Sequence, residues 1–308
     1  MNVSRKKHIL ILIMIGIVFF FGVGAILYPI IGSLYSSSLF HGSIKTYDSS
    51  VAEMADDDRE ARLAKAHEYN RKLAAGITDD ELSSALAGKN EIMCYVDVPE
   101  QNIYLPVFYG TGDDALNRGC GWVENTSLPV GGERTHAVIS GHTGMPDAEM
   151  FTRLDQAETG DIFYIHVLGE LLAYRVDSIT IVRPEDTAPL MINDDGDHVT
   201  LVTCTPYGIN DKRLLVRGTR TAVAADTSVA ESAEASVPDA SAEDKRVDDS
   251  LQKKINDSLL IIVLIIIASI AVFAAACVWL SSMLKKAAKG VEREKQQSED
   301  NNGEEKEE

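Results

Sequence analysis

The sequence predicts a mostly β domain, closed as a barrel or sandwich, held between two apolar helices. Residues 8–31, HILILIMIGIVFFFGVGAILYPII, carry no formal charge when His8 is neutral, and residues 259–283, LLIIVLIIIASIAVFAAACVWLSSM, form a second apolar run. Each is long enough to cross a bilayer, which takes about 20 apolar residues. Between them, residues 91–220 break into short runs rich in Val, Ile, Tyr and Thr: IMCYVDVP, IYLPVFYG, THAVISG, DIFYIHV, LLAYRVDSITIVR, HVTLVTC and RLLVRGTR. Pro99, Gly110, Gly131, Gly132, Gly160, Gly169 and residues 194–197 punctuate them. Many short strands at such spacing are the pattern of a closed barrel or a sandwich.

The flanks orient the helices. Arg5, Lys6 and Lys7 precede the first run; Lys285, Lys286, Lys289, Arg293 and Lys295 follow the second. Positive flanks stay on the cytoplasmic side, so residues 1–7 and 284–308 are expected inside the cell and residues 32–258 outside. The first run exceeds the apolar core of a cleaved signal, about 7–15 residues, and no small-x-small site closes it. It reads as an uncleaved membrane anchor.

Residues 32–90 read as a helical connector. Leu63, Ala66, Tyr69 and Leu73 share one helix face within residues 51–75, and Gly76 ends that helix. Thr78 and Glu81 then have the spacing of a capping box for a short helix closed by Gly88. Within the barrel, DAEMFTRLDQ (147–156) is the one helical interruption. Residues 221–257 lack aromatics and are rich in Ala, Ser, Asp, Glu and Val. Such a segment cannot bury enough surface to fold and reads as a disordered, exposed stalk; the charged tail over 292–308 reads as a disordered cytoplasmic end. The net charge of −18 argues against nucleic acid as a partner, since that requires a basic face.

The chain has four cysteines. Cys277 lies in the second apolar run. Cys94, Cys120 and Cys204 lie in the outer portion, where disulfides persist; parity suggests a Cys94–Cys120 bridge across the barrel entrance, leaving Cys204 free. TLVTC ends a strand on Cys204. A free cysteine, with pKa about 8.5, is mostly thiol at neutral pH, so a nucleophilic one needs a cation or His beside it. His142, in VISGHTGMP, follows a strand and sits in a Gly-flanked loop. His136 and His166 lie on strands, where a satisfied structural role is commoner, and His198 beside an acidic loop reads as surface. Arg213 and Arg217 flank LLV on the next strand; either could hold an oxyanion, and the spacing does not choose between them. A buried cysteine with two surface arginines fits the residue physics equally. No Cys/His cluster has zinc-ligand spacing and no Gly-rich phosphate loop occurs, so no metal or cofactor is expected.

TLVTC resembles the TLxTC signature of sortases, the cysteine transpeptidases of Gram-positive cell surfaces. Together with TLVTCTPYGIN, RLLVRG, TSLPVGG and SGHTGMP, it makes residues 91–220 similar to the class C, pilin-polymerising branch. The resemblance implies a closed sortase-type β-barrel, with Cys204 as nucleophile, His142 as acid/base and Arg213 as the oxyanion or substrate-orienting cation. Arg217 becomes structural or a groove residue. It also implies cleavage of an LPxTG-like sorting signal and transfer to a lysine of the next pilin. Class C sortases usually carry a lid with an Asp-Pro-aromatic motif; the equivalent stretch here, GITDDELSSALAG (76–88), has Asp79 and Asp80 but neither proline nor aromatic. The lid contact expected is therefore an ion pair from Asp79 or Asp80 to Arg213. Two other readings are a sortase attaching surface proteins to peptidoglycan precursor and a non-enzymatic, membrane-anchored binding barrel.

Overall fold

The computed structural model describes residues 3–88, 90–193, 196–222 and 240–304. The chain divides into two compact units, residues 31–252 and residues 1–30 with 253–308.

The larger unit is a closed barrel of eight strands: β1 (Ile92–Val98), β2 (Ile103–Tyr109), β3 (Cys120–Trp122), β4 (Thr135–Ser140), β5 (Ile162–Val167), β6 (Glu170–Val182), β7 (Asp197–Thr205) and β8 (Lys212–Thr221). They close in the order β1-β2-β3-β4-β7-β8-β6-β5. Only β2/β3 and β4/β7 are parallel pairs. Every strand-like run of the sequence forms a strand. The addition is β3, three residues too short to show alternation; a side chain at its Gly121 would strike the carbonyl of Gly110. Side-chain alternation packs the barrel: along β5, Phe163, Ile165 and Val167 are buried while Tyr164 and His166 are partly exposed. Ile139, Val199, Leu201, Leu214 and Val216 belong to the same core. A smaller cluster of Val138, Val202 and Leu215 covers the outer face of β4, β7 and β8, with Val123, Val182 and Leu190 packed on it.

Helix α1 (Val3–Ala52) continues through Pro29 to Ala52, so the helix expected from 51 onward is divided. Beyond residue 31, α1 buries Phe40, Ile44, Tyr47 and Val51, a helical i, i+4, i+7, i+11 stripe. Tyr47 fixes the register, its hydroxyl donating to Met93 O at 3.2 Å and accepting from Leu168 N at 2.8 Å. After a turn, α2 (Asp56–Ala74) buries Ala66, Tyr69 and Asn70. Asn70 clamps the backbone of Leu128 from both sides, donating to its O at 3.0 Å and accepting from its N at 2.7 Å. Gly76, at φ +77, follows the helix end.

Helix α3 (Asp80–Ser83) is capped by Asp79, whose carboxylate accepts from Leu82 N at 3.1 Å, and not by Thr78. The aspartate sits one residue nearer and presents a charged acceptor to the helix N-terminus. Residues 83, 86 and 87 are buried, so the second half of the expected lid belongs to the barrel core. The short α4 (Asp113–Leu116) precedes β3. The helix expected at 147–156 is instead a series of turns ending in a 3-10 turn, Leu154–Gln156, because Met150 adopts φ +43.

In the other unit, the rings of Phe19 and Phe20 lie 5.5 and 5.6 Å from that of Phe273. Helix α5 (Ala240–Glu304) carries Phe273. The disordered stalk expected over 221–257 is therefore helical from Ala240, and the tail is helical through Glu304. An apolar helix already formed lets the charged, helix-favouring flanks add turns without a new nucleus. Residues 223–239 of the expected stalk lie outside the described residues. Among the described residues, two helices are long and apolar enough to cross a membrane, with candidate spans at Ile13–Ala52 and Leu251–Met283.

Candidate active site

Three neighbouring strands bring the sequence-predicted residues together. Parallel β4 and β7 pair up to Ser140 opposite Val202, and the contact continues one step further through Gly141 N to Val202 O at 3.0 Å and Thr203 Oγ1 to Gly141 O at 2.8 Å. His142 therefore leaves β4 level with Cys204 on β7. Across the antiparallel β7/β8 pair, Cys204 is the Cα partner of Arg213. Val202 and Leu215, two residues back on each strand, lie in the outer cluster, so Cys204 and Arg213 face outward too. All three residues are partly buried.

The loops carrying them are tied to each other. His142 O accepts from Phe151 N at 3.0 Å, and Gly144 N donates to Thr152 Oγ1 at 3.1 Å. The Tyr207 ring, in the turn after Cys204, lies over Gly144: a Cβ there would sit 3.1 Å from Tyr207 Cε2, and Gly144 has φ +74. Tyr207 escaped the sequence reading because an exposed turn aromatic has no periodicity to mark it.

The two arginines differ in their partners. Arg213 Nη1 donates to Asn210 O at 3.3 Å and Lys212 O at 3.0 Å, both neutral carbonyls. Arg217 grips Asp177 with Nε to Oδ1 at 2.9 Å and Nη2 to Oδ2 at 3.2 Å, and the Thr219 hydroxyl also donates to Asp177. The β6/β8 register shifts between Val176 and Ser178, at the position of Asp177. Burial opposes charge on Asp177, but the bonds from Arg217 and Thr219 prevail and hold its carboxyl below the usual carboxylate range.

The other histidines are engaged elsewhere. The His136 ring lies 3.1 Å from Met191 O and 2.7 Å from Thr200 Oγ1. His166 stacks on Tyr95 at 4.2 Å. His198, expected at the surface, is buried with Nδ1 2.9 Å from Thr219 Oγ1, because its side chain turns into the polar cluster around Asp177 rather than toward the acidic loop.

Two further expectations fail. Cys94 and Cys120 are free, buried thiols. Both register with Val107, one from each side, which separates them by two strand spacings, roughly 9–10 Å, beyond the about 7 Å a disulfide spans. Burial pushes both thiols up. Asp79 does not reach Arg213: its Oδ2 accepts from Lys72 Nζ at 2.9 Å while Oδ1 caps α3. Asp80 is exposed, with its backbone O accepting from Ser83 Oγ at 2.7 Å. Lys72, on the last turn of α2, is simply the nearer cation. Among the described residues, no group of three or more His, Cys, Asp or Glu gathers as a metal site.

A thiol, an imidazole and a guanidinium on adjacent strand ends form a set suited to acyl transfer. The thiolate attacks a carbonyl, the imidazole carries the proton and the guanidinium balances the oxyanion. The sortase domain family matches residues 96–221. Sortase C from Clostridium perfringens SM101 is 42% identical, with 59% of this chain covering 99% of that one at a TM-score of 0.55. Sortase C of Streptococcus pneumoniae is also 42% identical, over 59% of this chain and 97% of that one, with a TM-score of 0.55. Sortase A of Staphylococcus aureus (strain NCTC 8325 / PS 47) is 29% identical over 55% of this chain and 76% of its own length. With a barrel of this order, a TLVTC strand end and this identity over nearly whole class C structures, the chain belongs to the sortase family of cysteine transpeptidases.

Proposed function

We propose that this sortase polymerises pilins, cleaving an LPxTG-like sorting signal and joining the acyl group to a lysine of the next subunit. The observation that carries the reading is the alignment of His142, Cys204 and Arg213 at the ends of β4, β7 and β8, on a chain 42% identical to class C sortases. One of those neighbours, the Clostridium perfringens sortase C, was solved with the C-terminal cell wall sorting motif. Cys204 thiolate attacks the Thr carbonyl of the signal, and Arg213 faces the oxyanion. The C–N bond to Gly breaks as His142 protonates the departing amine. A lysine amine then attacks the thioester, gives its proton to His142 and expels Cys204 as thiolate. Partly exposed Val182 and Leu190, packed over the buried outer cluster of Val138, Val202 and Leu215, offer an apolar surface on the face of Cys204 for the Leu and Pro of the signal.

The same reading makes residues 8–31 and 259–283 membrane anchors, with residues 1–7 and 284–308 cytoplasmic and the barrel extracellular. The experiment incubates the full chain in detergent with an LPxTG peptide and a lysine-bearing pilin segment. Mass spectrometry is expected to find the peptide, cut after Thr, first on Cys204 and then on a lysine, and to find neither with Cys204→Ala. Transfer only to a peptidoglycan-precursor amine would replace pilin polymerisation with cell-wall attachment.

A further inference from the structure

The loop that leaves β4 with His142 reaches its far tip at Asp147, and that tip rests on α1. Ser36 Oγ donates to Asp147 O at 2.8 Å. One helical turn earlier, a Cβ on Gly32 would lie 2.7 Å from Asp147 Cβ and 3.0 Å from its Cα. Residues four apart share a helix face, so Gly32 and Ser36 form one small-residue seat against which the loop backbone packs. Below the seat, the same face continues with Phe40, Ile44, Tyr47 and Val51, all buried. Small residues stand where the loop approaches and large ones where the barrel does.

Beside this seat, the loop is held by Ala148 and Met150, buried in the barrel core with Met145 packed against it, and by hydrogen bonds near its two ends. Phe151 N returns to His142 O, and Gly144 N meets Thr152 Oγ1. Gly141 packs so closely that a Cβ would come 2.7 Å from Phe151 Cδ2. Residues 145–149 form no strand or helix. A glycine weakens a helix interior relative to alanine, and the close approach of Asp147 accounts for one at position 32.

We propose that Gly32 and Ser36 are positioning residues for His142: α1, directly past its apolar run, braces the tip of the loop and so fixes the imidazole against Cys204. The inference rests on the reading of His142 as the acid/base. Displacement of the tip by even a few tenths of an ångström propagates along a five-residue span to the ring, and catalytic geometry tolerates little error, with about 1 Å costing up to roughly 100-fold in rate.

The test uses the full chain in detergent with Gly32→Ala, Ser36→Ala and the double variant Gly32→Ala/Asp147→Gly. The last removes the Cβ at 147 that the new methyl would strike. Cleavage of an LPxTG peptide is followed for kcat, KM and pH profile, beside thermal unfolding. Gly32→Ala is expected to lower kcat about fivefold or more with KM within about twofold, and to displace one limb of the wild-type pH profile. Ser36→Ala should lower kcat by about threefold, and Asp147→Gly should restore much of the loss in the double variant. Well-folded Gly32→Ala and Ser36→Ala proteins with wild-type kcat and pH profile overturn the brace. Should Gly32→Ala fail to fold, Ser36→Ala, which deletes one hydroxyl, decides alone. If His142→Ala itself stays active, the reading of the site falls; if His142→Ala is inactive and the seat variants are silent, only the brace falls.

Discussion

Cys204 and Arg213 are direct partners across β7 and β8, whereas Arg217, on the same face of β8, is committed to Asp177 by bonds of 2.9 and 3.2 Å. Among the described residues, the guanidinium opposite Cys204 has neutral carbonyls as its hydrogen-bond partners and can turn its charge to an incoming group. Arg213→Ala should lower kcat/KM by about 100–1,000-fold, the usual cost of one oxyanion donor. Arg213→Lys should recover little, because an ammonium lacks the planar fork. Peptide-cleavage kinetics check both, and a loss under about threefold for Arg213→Ala would remove it from the mechanism.

Arg217 has the opposite profile. Its pair with Asp177 is partly exposed, at 35% and 31% of the side chains, so solvent screening limits Arg217→Ala to a loss of about 0.5–1 kcal/mol at neutral pH. Asp177 titrates below its ordinary value of 3.8. A depressed carboxyl stabilises the fold above its unfolded value, and that contribution fades as pH falls through the folded one. The thermal stability gap between wild type and Arg217→Ala should therefore be full above about pH 5 and shrink as the pH falls below 3.8. Turnover should change by less than about threefold, since Arg217 already has its carboxylate partner.

Cys94 and Cys120 should be chemically silent. Both are fully enclosed and burial raises both thiols, so neither offers a thiolate. Iodoacetamide on the native chain outside the membrane spans should label Cys204 alone, and after unfolding without reductant it should label Cys94 and Cys120 as well. Cys94→Ala and Cys120→Ala should retain turnover while losing about 1 kcal/mol of stability each, the worth of one buried methylene-sized group. Loss of a native-state label at Cys204 with retained label at Cys94 would reverse the assignment.

The barrel was legible because its strands show period-two alternation or dense β-branched runs, as in β5 and β7. The family was legible through TLVTC and SGHTGMP, which the structure places at the ends of the adjacent strands β7 and β4. What escaped notice depends on partners distant in sequence. Asp177 draws its meaning from a bulge and from Arg217, 40 residues away. The seat at Gly32 and Ser36 depends on a loop 111 residues downstream. Parity alone paired Cys94 with Cys120, and strand order separates them. The stalk expectation departs from Ala240 onward for another reason: composition reports whether a segment can bury surface, not whether a neighbouring helix can extend into it.

The segment before the barrel gives the last prediction. Residues 76–78 are exposed, whereas Ser83, Leu86 and Ala87 are buried, with Ser83 Oγ 3.0 Å from Tyr109 OH. Asp79 is held by Lys72, and secondarily by Leu82 N–H, which together keep its carboxyl below the usual range. Its charge therefore serves the α2–α3 junction and is not spent on Arg213. Replacing both Asp79 and Asp80 with alanine removes the cap of α3 and frees Lys72, so amide exchange at residues 81–84 should accelerate. The thiol lies on another part of the barrel's strand order, at the β7/β8 end, and the same change should alter the rate of Cys204 alkylation by no more than about threefold, the scale of an exposed ion pair. A hundredfold faster alkylation would mean that this segment closes over Cys204 after all.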